Sequence, residues 1–213
     1  MGITELATAL GGATHLAKGH QAYTWPNGAE RHFTVLPKEL MLDGDYAHLL
    51  CQNYSKKIAP RVRKEEVDKL GFIKRGYLDA IPLSSYLAYT HLINAVIARG
   101  SSPLEPHGIV LGNLEKGDRL ILVDGLFCED SRLVPGIEML RRRGAVIDNY
   151  VALSAMHDDS KLEKIGIKTD YIVPRNELKE IIRKEVKFPF GTGDIPRELK
   201  DIIMNEVEEE FGS

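Results

Sequence analysis

The most regular pattern of apolar and polar positions lies between residues 115 and 153. Leu120-Ile121-Leu122-Val123 is an unbroken apolar run opened by the turn Glu115-Lys116-Gly117-Asp118, and it predicts a strand covered on both faces. Asp124 ends the run. From about Arg132 the apolar residues Leu133, Ile137 and Leu140 recur at helical spacing, with Pro135 in the first turn, Arg141 to Arg143 in the last and Gly144 as stop signal. Ala145-Val146-Ile147 and then Tyr150-Val151-Ala152-Leu153 resume a strand pattern. Strand, helix and strand in this order predict a right-handed βαβ unit, whose ligands belong at the carboxyl ends of the strands.

The same reading extends along the chain. An N-terminal helix is expected over roughly Ile3 to Leu10, ended by Gly11-Gly12. Gln21 to Trp25, a turn at Pro26-Asn27-Gly28, and His32 to Leu36 read as a hairpin. A helix is predicted from about Tyr46 to Ile58, stopping before Pro60, and Phe72-Ile73 as a short strand. Ala80-Ile81-Pro82-Leu83 leads into a helix from Ser84 to Ile97. The stretch 98–112 has no period and reads as a mobile loop of about 15 residues, a length at which function is suspected. Lys161 to Ile165 is a short helix, Thr169 to Val173 an edge strand, Glu177 to Val186 a helix, and Pro196 to Phe211 a terminal amphipathic one.

Composition narrows the class without naming a chemistry. The chain has 213 residues, 43% hydrophobic and 28% charged, with a net charge of −3, which suits one well-filled core and no bulk nucleic-acid footprint. No apolar run approaches a membrane span, and the start Met1-Gly2-Ile3-Thr4-Glu5 lacks the form of a signal peptide, so a cytoplasmic protein is expected. Cys51 and Cys128 are too few for a disulfide framework. Cys51 is read as core. Cys128, among acidic neighbours, is a poor nucleophile.

The order of elements, together with Gly117-Asp118-Arg119-Leu120-Ile121-Leu122-Val123-Asp124, resembles the type I phosphoribosyltransferases, and among them the orotate phosphoribosyltransferases. Tyr23-Thr24-Trp25-Pro26-Asn27-Gly28 is similar to that family's Phe-Thr-Leu-Lys-Ser-Gly hood segment, and Ala80-Ile81-Pro82-Leu83 to its Gly-Ile-Pro-Leu loop. Pro106-His107-Gly108 resembles the end of its catalytic loop, Lys-Asp-His-Gly. The resemblance implies an α/β fold with a mostly parallel central sheet flanked by helices and a small N-terminal hood. It implies one domain over 1–213, with the hood at about 1–45, the core at about 46–175 and C-terminal helices at about 176–213. It also implies a homodimer.

The family reaction displaces pyrophosphate from phosphoribosyl pyrophosphate. It needs an acidic pair on the ribose hydroxyls, a glycine-rich cradle for the 5′-phosphate, and cations with Mg²⁺ on the pyrophosphate. Where the resemblance implies Asp-Asp, two apolar residues and Thr-Thr-Gly-Gly-Ser, this chain has Asp124-Gly125, Leu126-Phe127 and Cys128-Glu129-Asp130-Ser131-Arg132. One acid of the pair is kept. The cradle loses its threonines and glycines and gains two carboxylates. Two unit charges about 4 Å apart interact by roughly 4 kcal/mol at an effective dielectric of 20, more than the roughly 1–2 kcal/mol a helix N-terminus offers a phosphate. The competing reading is that Asp130 or Ser131 caps its own helix, with Glu129 in solvent and Arg132 offsetting part of the charge.

Other positions depart in the same direction. The family lysine before Gly-Ile-Pro-Leu is Asp79, its glycine is Ala80, the hood lysine is Pro26, and the loop cations fall at Ser101-Ser102 and Glu105. The arginine that helps hold the orotate ring has Met156 or His157 in its place. His107 is kept, and a lone loop histidine is more often surface than catalyst. His157-Asp158-Asp159 reads as a solvated loop before a metal site, Lys56 to Lys64 as a solvated helix end, and Val207 and Phe211 as core or dimer contacts. The ligand-binding candidates are therefore Ala80, Ile81, Asp124, Cys128, Glu129, Asp130, Ser131 and Arg132. Asp124 and His107 are the retained catalytic positions. Two functions follow from this set. One is a protein that has lost transfer and binds a nucleotide-like or phosphorylated ligand, as regulator or non-catalytic partner. The other is an active transferase in which Asp124, Glu129 or Asp130 holds Mg²⁺.

Overall fold

The computed structural model describes residues 6, 10–11, 13–16, 22–25, 28–35, 44–64, 66–74, 80–99, 108–127, 132–187 and 195–212. Leu6, Leu10 and Gly11 are helical, and among the described residues four short strands follow: β1 (Thr14–Leu16), β2 (Tyr23–Thr24), β3 (Glu30–Arg31) and β4 (Phe33–Val35). The sheet core then alternates with helices: α1 (Gly44–Arg63), β5 (Lys69–Lys74), α2 (Ala80–His91), β6 (Asn94–Arg99), β7 (Ile109–Leu111), β8 (Arg119–Phe127), α3 (Leu133–Arg142), β9 (Val146–Ala155), α4 (Ser160–Lys164), β10 (Lys168–Tyr171), α5 (Arg175–Lys187) and α6 (Arg197–Phe211). Six strands form one sheet in the order β10-β9-β8-β5-β6-β7, parallel except for the antiparallel edge β7.

The predicted βαβ unit is β8, α3 and β9. Gly144 ends α3 with φ +98, and a Cβ there would lie 2.9 Å from the Lys116 backbone, so the turn requires glycine. The break in apolar pattern at Asp148-Asn149 does not divide β9. A register shift opposite Leu120/Ile121 absorbs the extra residue, as a bulge does, and one ten-residue strand results.

The parallel strands are covered on both faces. Leu70, Phe72, Ile121, Val123, Val151 and Leu153 pack under α1, α2, α5 and α6, through residues such as Tyr54, Leu87, Ile182 and Val207. Their alternates, Ile73, Leu120, Leu122 and Ala152, pack under α3 and α4 through Leu133, Ile137, Leu140 and Leu162. Period-two alternation into two cores is what a doubly wound sheet imposes on continuous apolar runs.

Five expectations need correction. The central strand β5 has six residues, not two; Lys69 at its start and Gly71 within it interrupt the apolar pattern. Lys69 is buried there because its Nζ lies 2.5 Å from Asp118 Oδ2. Helix α1 runs through Pro60 to Arg63, since a proline near the C-terminal end forfeits a single backbone donor. Helix α2 starts at Ala80 and stops at His91, not Ile97: Leu92 takes φ +51 and the Ile93 N–H bonds to the Ala88 carbonyl, leaving 94–99 to pair with β5. The stretch 98–112 is not one loop, because its ends belong to β6 and β7; residues 100–107 lie outside the described ones. The hairpin is β2 with β3, whereas β4 pairs with β1.

Candidate functional site

The sheet reverses winding between β5 and β8. From β5 the chain crosses by α2 to β6 on one side, and from β8 by α3 to β9 on the other, so the crevice for a ligand lies beyond Lys74 and Phe127. The segments leaving these strand ends, 75–79 and 128–131, lie outside the described residues, as do Cys128, Glu129, Asp130, Ser131 and His107. Ala80 and Ile81 open α2, the helix that starts at this crevice. Topology therefore places Ala80 and Arg132 just beyond the carboxyl ends of the two strands, while Asp124 lies within β8, three residues before its end.

Asp124 is held from both sides. Its Oδ1 accepts the Gly125 N–H at 2.8 Å, its Oδ2 accepts the Tyr150 hydroxyl at 2.6 Å, and its carbonyl accepts the Tyr54 hydroxyl. Tyr150 is fixed in turn by an edge-on contact with Phe127. Both tyrosines are buried and Asp124 is half-buried, so an unmet phenol on this side would be costly. Sequence reasoning missed both. The signal available was a tyrosine inside an apolar strand run and another on the buried face of α1, since a buried phenol needs a partner.

Arg132 is the N-cap residue of α3, with φ −104 and ψ −23, and its side chain makes no capping bond. The expected cap by Asp130 or Ser131 concerns residues outside the described set, and the N-cap position itself falls one residue later. Mg²⁺ prefers carboxylate oxygens. Of the three proposed ligands only Asp124 is described, its oxygens accept the bonds above, and among the described residues no three His, Cys, Asp or Glu side chains group around a common point. The described residues thus do not build a metal site.

A second constellation lies just beyond β9. His157 is buried, its ring edge-on to Trp25 at 5.5 Å, and its Nε2 is 2.9 Å from Glu210 Oε1 on α6. Arg31 donates to the other oxygen of Glu210 at 2.9 Å and lies 6.0 Å from the Trp25 ring centroid. Beside them His32 donates through its backbone N–H and its Nδ1 to the two oxygens of Glu206, at 2.8 and 2.7 Å. Burial pushes the Glu210 carboxyl up, but the His157 hydrogen bond and charge, with those of Arg31, outweigh it and hold it below the usual range. Arg175 donates to the Glu210 carbonyl at 2.6 Å and sits over the Phe211 ring. Val207 and Phe211 are core, as one of the two expectations had it.

The remaining candidates are structural. Asp158 accepts the Ser160 N–H and Asp159 the Tyr171 hydroxyl, so His157, Asp158 and Asp159 turn to different partners. Burial, then the Asp159 hydrogen bond, raises the Tyr171 pKa. Lys57 and Arg61 of the basic stretch pair with Asp170, and Arg141 donates to the carbonyls of Ile147 and Ile165 instead of capping its own helix.

No protein-family model matches the chain, and no characterised protein matches it by sequence. Solved structures do match. A UMP synthase from Leishmania donovani superposes with a TM-score of 0.70 at 20% identity, over 96% of this chain and 42% of that one, so the chain spans less than half of that protein. Orotate phosphoribosyltransferase from Aeropyrum pernix superposes with a TM-score of 0.69 at 16% identity, covering 82% and 96% of the two chains. Adenine phosphoribosyltransferase from Saccharomyces cerevisiae gives 0.61 at 12% identity, over 80% and 99%. The described residues share the overall fold of these proteins, and the chain has the type I phosphoribosyltransferase fold.

Proposed function

We propose that this protein keeps the phosphoribosyltransferase fold, has lost phosphoribosyl transfer, and binds a nucleotide-like or phosphorylated ligand in the cytoplasm as a regulator or a non-catalytic partner. The observation that carries this reading is the state of Asp124. The one acid kept from the pair accepts bonds from Tyr150 and Gly125, and Gly125 stands where the second acid would be. A carboxylate so engaged supports strand geometry and is poorly placed to take up ribose hydroxyls. The acidic residues Glu129 and Asp130 in the sequence after β8 support the same reading, through repulsion of a 5′-phosphate. Among the described residues no helix is long and apolar enough to cross a membrane.

The test is a direct assay. Purified protein with orotate, phosphoribosyl pyrophosphate and Mg²⁺ is expected to form no orotidine monophosphate, while a thermal-shift screen with nucleotides and phosphorylated sugars is expected to find a stabiliser; a ligand at 100 times its dissociation constant adds about 2.7 kcal/mol. Steady turnover abolished by Asp124→Asn would overturn the reading and establish an active transferase with an altered Mg²⁺ site. The double change Glu129→Thr with Asp130→Gly should create affinity for ribose 5-phosphate in calorimetric titration, since it removes two repulsive charges. Tight metal-free phosphate binding by the unaltered protein would show the charge argument to be wrong.

A further inference from the structure

Five elements meet at the end of the sheet away from the crevice. Helices α1 and α2 run towards the amino ends of the strands that follow them, so Val62 in the last turn of α1 and His91 at the end of α2 come beside Asp68, Asn94 and Arg119, at or just before the starts of β5, β6 and β8. Together they enclose a cleft of about 370 Å³, within the range that small molecules occupy. The six residues of β5 separate this cleft from the crevice by roughly 20 Å.

The lining is half apolar and half polar, and its charges cancel. Val62, Val67, Leu92 and Ile93 supply the apolar wall. Arg119 donates through Nε and Nη2 to the two oxygens of Asp68, at 2.9 and 2.8 Å, which neutralises both groups and fixes a planar pair on which a ring can stack. The His91 Nε2 lies 3.0 Å from Ser55 Oγ, and burial, then the charge of Arg63, holds the imidazole below its ordinary pKa, so the ring is neutral at neutral pH. Two helix C-termini bring partial negative charge, and Arg63 in the last turn of α1 offsets it. A charged ligand of either sign therefore finds no net counter-charge, while Asn94 presents an amide donor and acceptor and His91 a second ring nitrogen.

Leu92 carries the sign of an occupant. It takes φ +51, where a helix end usually places glycine or asparagine, and its side chain is 91% exposed at the cleft. Among the described residues it is the one non-glycine residue with positive φ and the most exposed large hydrophobic. Glycine would make the same turn without either cost. Backbone strain held beside a cleft points to binding, and an apolar face laid over Leu92 takes its side chain out of water.

We propose that this cleft binds a flat, uncharged heterocycle with an amide edge, its ring against Leu92, Ile93 and the Arg119–Asp68 pair and its amide on Asn94 and His91. The site goes beyond the reading of the crevice and does not depend on it: Asp124→Asn should leave the binding described below unchanged, whatever it does to transfer.

The probes are nicotinamide and cytosine, with nicotinate, which has the shape of nicotinamide and a negative charge, as the control. In amide-resolved NMR of the isotope-labelled full chain, nicotinamide or cytosine at millimolar concentration should shift the 91–94 and 119 amides and leave those of 124–127 in place. Nicotinate should bind about tenfold more weakly than nicotinamide, because its carboxylate is desolvated without a net counter-charge. Asn94→Trp, which fills the cleft, should weaken the probe by about tenfold or more; if that variant does not fold, Asn94→Leu, which removes only the amide, should weaken it about fivefold. No shift at 91–94 and 119 with either probe, shifts at 124–127 alone, equal binding of nicotinate and nicotinamide, or loss of binding in Asp124→Asn overturns the proposal. So do shifts at 89–94 that grow with protein concentration and no probe, which would mean that a second copy of the chain covers Leu92.

Discussion

At the scale of single residues, burial decides which ionisable groups matter. Tyr150→Phe removes the Tyr150 donor from the half-buried Asp124 carboxylate, and a bond to a charged group of this kind is worth about 2 kcal/mol. Urea denaturation should show a loss of that size. A loss within error would mean that Asp124 relaxes to other partners and is free to serve a ligand. Cys51 is fully buried and its thiol is pushed up by burial to about 11, so it should resist alkylation in the native protein and react on unfolding. Gly71→Ala places a methyl 2.7 Å from the Leu122 side chain in the middle of the sheet, and overpacking there should cost about 1–3 kcal/mol in the same denaturation experiment. That glycine also hides β5 from a pattern search, because a residue without a side chain contributes nothing to apolar alternation.

Among the elements, β5 carries most of what was illegible in sequence. Its first residue reads as polar loop, yet Lys69 is buried in the ion pair with Asp118, which also accepts the Glu115 N–H at 2.6 Å. The pair ties the start of β5 to the turn before β8. Lys69→Ala should cost about 1–3 kcal/mol, because it leaves the half-buried Asp118 carboxylate without its charged partner, whereas Lys69→Met with Asp118→Leu should recover much of the loss. Equal stability of the single and double variants would show that the site is wetter than its burial implies. One strand over, Arg119 holds Asp68 down to about 2 from an ordinary 3.8, first through its side-chain and then its backbone hydrogen bonds. A lowered carboxyl contributes above its ordinary value and loses that contribution as pH falls through the lowered one, so this pair protects the strand start only until strongly acid pH. The pair is well exposed, and its effect on stability is correspondingly small.

For the whole molecule, the decisive contacts run between chain ends. Because Glu210 is lowered below its ordinary 4.5, its contribution is present above that pH and is lost as pH falls through the lowered value. The stability difference between the unaltered protein and Glu210→Gln should therefore be largest near neutral pH and shrink in acid. A difference constant down to pH values below the carboxylate range would remove the ion pair from the account. Assembly belongs to this scale as well. The resemblance to the orotate phosphoribosyltransferases implies a two-fold homodimer, and on that expectation sedimentation at tens of micromolar should give twice the 23.8 kDa of one chain; a monomer there would refute it.

What the sequence by itself determined is the βαβ unit of β8, α3 and β9, the α/β class, and the place of most helices, since each rests on periodicity within a dozen neighbouring residues. Asp124 does not end its strand as the apolar run suggested: β8 continues to Phe127, because Asp124, Leu126 and Phe127 still pair with β9, and this pairing lies outside local periodicity. Strand order was not legible either: nothing local to Lys69-Leu70-Gly71 says that it lies between β8 and β6, or that β4 pairs with β1 instead of closing on β2. Nor could sequence show that the tyrosines at 54 and 150 converge on Asp124, or that His157 meets Trp25 and Glu210 from opposite ends of the chain. Those contacts depend on how separate elements pack, and side-chain pairing between them is settled when the sheet and its two layers of helices form one core.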